Sequence, residues 1–187
     1  MPRSAFHEKN SAMLITDIAK IEKLARKKAD ENWNFRSFLK STDIPFEKID
    51  AIVHRLNKEV SSQIDCTKCA NCCKTISPTL DEEDIVTFAK GLGISPEQLK
   101  SQYLVKDEEG FTFNAKPCPF LVDNKCSNYD HRPKACASYP HLHKEDFVFR
   151  TIGVINNCPV CPIVFNVVER LKDELRHDDE LDEIEEF

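Results

Sequence analysis

Asp65-Cys66-Thr67-Lys68-Cys69-Ala70-Asn71-Cys72-Cys73-Lys74 is the stretch on which the reading of this chain turns. Four thiols fall within eight residues, and the side chains between them are small or polar. That pattern suits metal ligands better than core packing. On a helix or a tight turn, spacings of three and four residues place Cys66, Cys69 and either Cys72 or Cys73 on one face, within reach of one ion. Cys72 and Cys73 are adjacent, so their side chains diverge whether the backbone is helical or extended. Either they reach two ions or one of them bridges, and a centre with more than one metal is expected.

Five more cysteines follow: Cys118, Cys126, Cys136, Cys158 and Cys161, making nine. Asp123 and Asn124 favour a turn that folds Cys118 back towards Cys126 in a hairpin-like knuckle. Cys136 lies in an irregular, Pro-broken stretch, and Cys161 stands at the threshold of a closing helix. His141 and His143 beside the Cys136 segment either complete or orient a site, or are plain polar loop residues. A thiol nucleophile at Cys136 or Cys158 with a His base is the competing chemistry, and it is weak where no cysteine stands alone.

At 187 residues, with 41% hydrophobic and 31% charged residues, the chain reads as one soluble globular domain over 1–177. Its parts are a helical stretch 11–64, a cysteine core 65–162 and a closing helix 162–176, followed by an acidic tail 178–187 expected to be disordered. No apolar run approaches the roughly 20 residues of a membrane span. The N-terminus carries no apolar signal core, so the expected location is the cytoplasm, where Cys-rich patterns point to metal or catalysis rather than disulfides. A net charge of −6 disfavours coating of a nucleic-acid backbone. A protein partner stays open, and a zinc-dependent interaction module is one of the function classes carried forward.

The hydrophobic period predicts a mainly α fold with a few short strands. Leu14, Ile18, Ile21 and Ala25 define an amphipathic helix over about Ser11 to Ala29. Trp33, Phe35, Phe38 and Leu39 are packing anchors on a continuing or second helix. Phe46, Ile49, Val53, Leu56, Val60 and Ile64 define a third helix from about Pro45 to Ile64, which runs into Cys66. Thr79 and Glu82 read as a capping box for a helix through about Lys90 with Gly91 as its stop, and Ser95, Pro96 and Gln98 open a second short helix ending near Tyr103 or Leu104. The acids Asp81 to Asp84 fit a first helical turn and its dipole. Phe111 to Phe113 reads as a strand, Phe147 to Ile155 as another, and Pro162 to Leu175 as the closing helix.

C-T-K-C-A-N-C-C-K over 66–74, then P-C-P-F-L-x-x-x-x-C-x-x-Y-x-x-R-P-x-x-C-x-x-Y-P over 117–140, resembles the CxxCxxCC family, the YkgJ-like cysteine-cluster proteins. That family is named for a presumed zinc- or iron-chelating site, and the ending from Cys161 looks like a bacterial branch of it. The resemblance implies a metal site of eight cysteines, Cys66, Cys69, Cys72, Cys73, Cys118, Cys126, Cys136 and Cys161, with Cys158 as the odd one out and able to replace Cys161. Tyr129, Arg132 and Pro133 belong to the same motif, with Arg132 either offsetting thiolate charge or donating hydrogen bonds to sulfur, or else forming a plain surface salt bridge. Many relatives carry Gly and Arg where this chain has Ala70 and Ala137. Zinc, favoured for an all-thiolate site, or iron is the expected metal, with an iron-sulfur cluster as the alternative. The spacing is not the ferredoxin run. The same signature is similar to part of flagellin lysine methylases, but with four glycines and no Gly-rich methyl-donor loop here an enzymatic role is the weaker expectation.

Overall fold

The computed structural model of the protein describes residues 13–108 and 110–175. Residues 11 and 12 of the first expected helix, the last residue of the closing helix and the acidic tail 178–187 lie outside the described residues. Within them the chain is mainly α. Its helices are α1 (Ile18–Lys27), α2 (Ala29–Ser41), α3 (Phe46–Ser61), α4 (Cys66–Cys69), α5 (Asn71–Thr75), α6 (Glu82–Leu92), α7 (Pro96–Tyr103), α8 (Lys134–Ser138), α9 (Thr151–Asn157) and α10 (Pro162–Leu175). The strands are β1 (Thr79–Leu80), β2 (Leu104–Lys106), β3 (Phe111–Phe113), β4 (Leu121–Val122) and β5 (Lys125–Cys126). Among the described residues, no helix is long and apolar enough to cross a membrane. The chain divides into two compact units, 1–64 with 142–187, and 65–141.

The first unit is a helical bundle in which α10 packs chiefly on α3 and also touches α1 and α9. Ile49, Val53, Leu56 and Val60 recur at helical spacing on α3 and are fully buried. Val164, Val168 and Leu171 of α10 are buried too. Each such side chain contributes about 1.5–3 kcal/mol on leaving water. Asp17 caps α1 by accepting the Lys20 N–H at 2.7 Å. The anchors beyond it lie on a separate helix, α2, where Phe35 and Leu39 are buried. Trp33 is not an anchor: it is exposed, with the Arg36 guanidinium over its ring at 5.8 Å.

Phe147 to Ile155 is helical, not a strand. It forms a 3-10 turn (Phe147–Arg150) that leads directly into α9. The Asp50 carboxylate on α3 accepts the N–H groups of Asp146 and Phe147, each at 2.9 Å, and so satisfies the amides that open the turn. Phe147 and Val148 are both buried while Phe149 is 65% exposed, a spacing that no strand produces.

Lys172 on α10 is 1% exposed and ion-paired with Glu169 at 2.6 Å and with Glu31. Lys28 closes the network through Glu169 at 2.6 Å and Glu31 at 3.3 Å. Burial pulls the Glu31 carboxyl up, but the hydrogen bond and charge of Lys172, with those of Lys28, outweigh it and hold it below its ordinary 4.5. A lowered folded value gives stability that is complete above pH 4.5 and is lost as pH falls through that lower value. Thermal midpoints recorded from pH 7 to pH 3 should fall less steeply for Lys172→Met than for the parent protein. Parallel profiles would show that the network is not ionised as described.

The second unit carries a three-stranded antiparallel sheet of order β1-β3-β2, with Thr79 opposite Thr112 and Leu104 opposite Phe113. Under it lies an aromatic core: Phe88 meets Phe120 at 4.8 Å and Phe113 at 5.4 Å between ring centroids, and Tyr103 meets Phe120 at 5.0 Å. The capping box of α6 is formed by Asp81 and Asp84, not by Thr79 and Glu82, because pairing with β3 has already claimed Thr79. The helix runs through Gly91 and ends at Gly93, whose φ of 71° is the left-handed conformation of a C-cap. The Ser95–Gln98 box opens α7 as its sequence indicates.

Candidate metal centre

Seven of the expected ligands, Cys66, Cys69, Cys72, Cys73, Cys118, Cys126 and Cys136, fall in the second unit. Asp65 starts the first turn by accepting the Thr67 N–H at 2.9 Å, and α4 carries Cys66 and Cys69. Ala70 then turns left-handed, φ 51° and ψ 18°, ending α4 and starting α5 with Cys72 and Cys73. The four thiols therefore sit on two short helices with a kink between them, not on one continuous helix. An alanine is strained there where a glycine would not be.

Cys118 enters by a backbone bond, its N–H donating to the Cys73 carbonyl at 2.8 Å. Beyond it β4 and β5 form the expected hairpin, with Asp123 and Asn124 at φ 49° and 62° in its two-residue turn. Phe120, buried in the aromatic core, anchors that hairpin, and the Ser127 N–H closes it on the Phe120 carbonyl at 2.8 Å. A 3-10 turn (Tyr129–His131) packs against α6, where the Asn128 amide donates to the Phe88 carbonyl at 2.8 Å. Pro133 then starts α8, which carries Cys136.

Three of these sulfurs accept a backbone N–H from two residues further on. Asn71 donates to Cys69 at 3.4 Å, Phe120 to Cys118, and Asn128 to Cys126. Such a donor favours the thiolate, the form that binds metal. Burial still dominates at Cys118 and Cys126 and pushes both thiols up, as it does at Cys66. Cys136 is pushed up to about 12, by burial first and then by the sulfurs of Cys73, Cys118 and Cys126, with Arg132 opposing. Cys73 goes the other way, to about 6, because the Cys72 thiol donates to its sulfur and outweighs burial, with help from Lys74. Cys73 is thus the thiol whose charge Cys66, Cys118, Cys126 and Cys136 all feel.

Arg132 lies over the Tyr129 ring at 3.7 Å and donates to the Tyr129 carbonyl at 3.0 Å, and its charge acts on Cys126 and Cys136. Asp84, which the sequence offers only as a first-turn acid, accepts the Lys134 N–H at 2.9 Å. The signal for it was Pro133, which precedes α8 and has no side chain able to cap it. His141 is half-buried with Nδ1 2.8 Å from the Ser138 hydroxyl.

Cys161, Cys158 and His143 belong to the first unit. Both thiols are buried there, and Cys158 is pushed up to about 12 by burial. No disulfide joins any of the nine cysteines. Among the described residues no group of three or more Cys, His, Asp or Glu side chains is closed up as a ready coordination sphere. The donor set itself fits zinc or iron: it is soft, all sulfur, gathered from three separate stretches, and supplied with amide donors.

The family model for CxxCxxCC, described as "Putative zinc- or iron-chelating domain", matches residues 65–159. That stretch takes in Cys158 and stops short of Cys161. Neither the curated proteins nor the solved structures yield a match.

Proposed function

Because the chain belongs to the CxxCxxCC family, we propose that the second unit binds zinc, or iron in its place, through thiolates of Cys66, Cys69, Cys72, Cys73, Cys118, Cys126 and Cys136. The observation that carries this reading is the backbone bond from the Cys118 N–H to the Cys73 carbonyl at 2.8 Å, which ties together thiol-bearing stretches 45 residues apart in the sequence. Seven thiols exceed the four that one tetrahedral zinc takes, so more than one ion per chain is expected, with a bridging sulfur. Cys73, with an adjacent thiol donating to it, is the natural bridge. Coordination would replace the protons on Cys118, Cys126 and Cys136 and draw these stretches together, so that uptake of metal and ordering of the unit are one process. The role that follows is metal binding that stabilises or hands on the ion rather than turnover of a substrate, in the cytoplasm of a bacterial cell.

Protein purified without oxygen should be colourless, carry at least two zinc ions per chain, contain no acid-labile sulfide and lose thermal stability when a chelator strips it. A brown sample with sulfide would keep the thiolate centre and replace zinc by an iron-sulfur cluster. A metal-free protein with its thiols paired in disulfides would end the proposal.

A further inference from the structure

Helix α8 carries Cys136, yet it cannot cap itself. Its N-cap is Pro133, and a proline side chain accepts no hydrogen bond. The acceptor comes from elsewhere: Asp84 Oδ1, 50 residues back on α6, takes the Lys134 N–H at 2.9 Å. The other oxygen of the same carboxylate takes the Asp81 N–H at 3.4 Å, and the Asp81 carboxylate returns a bond to the Asp84 N–H at 2.7 Å. Asp84 is 6% exposed, so neither bond is easily replaced by water. The Lys134 ammonium adds ion pairs to Asp81 at 3.0 Å and Glu83 at 2.6 Å, fixing the same helix end to the first turn of α6.

We propose that Asp84 is a positioning residue of the metal centre, a cap lent by α6 to α8 that fixes the helix carrying Cys136 against the rest of the second unit and so presents its thiol for coordination. This rests on the thiolate reading above. It also gives α6, which carries no cysteine, its part in the site. One of its ends fixes Cys136, and its Phe88 carbonyl holds Asn128, two residues beyond Cys126.

The test is a double-mutant cycle on the full chain, reading metal affinity by competition with a chelator alongside the thermal midpoint. Asp84→Ala should weaken zinc binding about 10- to 100-fold in the parent background, the range for residues that orient metal ligands. In a Cys136→Ala background the same change should have almost no further effect on affinity, because the ligand that it positions is gone. Asp84→Asn keeps an acceptor for the Lys134 N–H but turns a donor towards Asp81 or Lys134, and should fall between; it decides the matter if Asp84→Ala does not fold. Equal loss of affinity in both backgrounds would reduce Asp84 to general stability and overturn the inference. Unchanged affinity for Asp84→Ala, with Cys136→Ala still damaging, would overturn it alone. Unchanged affinity for Cys136→Ala would instead sink the ligand assignment and the inference with it.

Discussion

Cys73→Ser should lower metal affinity at least 100-fold and remove more bound metal than any other single thiol replacement in the second unit. Apparent zinc binding by four thiolates amounts to about 10–16 kcal/mol, so an average terminal ligand is worth about 3 kcal/mol, or roughly 100-fold. Cys73 should exceed that average because it sits where two contributing stretches meet: the Cys72 thiol donates to its sulfur, which favours the thiolate, and its carbonyl holds the Cys118 N–H at 2.8 Å. Serine keeps nearly the same size and a polar atom, so the change removes a soft, ionisable donor with little effect on packing. Metal counts and chelator-competition affinities for Cys66→Ser and Cys73→Ser, prepared side by side, check the ranking. Equal losses would mean that no sulfur is shared.

Gly91→Ala should destabilise the protein by about 2–3 kcal/mol, against the usual gain of up to about 1 kcal/mol when alanine replaces a helical glycine. A Cβ built at Gly91 would stand 2.1 Å from the Asn128 Oδ1 and 2.6 Å from the His131 ring. Neither neighbour can swing aside at little cost, since Asn128 is buried with its amide committed to the Phe88 carbonyl and the contact on His131 is at the root of its ring. The 3-10 turn would have to lift off α6. Cys126 and Arg132 flank that turn, so metal affinity should fall along with the thermal midpoint. A Gly91→Ala protein as stable as its parent would show that the turn does not press on the helix.

Gly91 also shows where sequence reading stops. A glycine near the end of an amphipathic pattern reads as a helix stop, and Gly93 meets that need two residues later; what Gly91 provides is room for a segment some 40 residues away, which periodicity cannot report. The same limit explains the capping box. Thr79 and Glu82 have the right spacing, but Thr79 pairs with Thr112 in a strand two residues long, too short to leave an alternation of its own. Phe147 to Ile155 alternates acceptably on paper; the Asp50 carboxylate, distant in sequence, supplies the bonds that coil it. What was legible was local: α10 begins where its pattern does, the Ser95–Gln98 box opens α7, and Asp123-Asn124 makes its turn. For the centre, spacing identified the thiols, and the resemblance grouped them. The bond from the Cys118 N–H to the Cys73 carbonyl and the reach of Asp84 depend on where the chain returns.

The division of the chain has a consequence for the order of events on the ribosome. The second unit is an uninterrupted stretch, 65–141, whereas α3 of the first must wait for α10, its main packing partner, at the far end. Synthesis is vectorial, so the thiol-bearing stretch emerges whole while the bundle is still missing its last helix. A chain released after Asn157 should therefore already retain zinc, although it lacks the last helix.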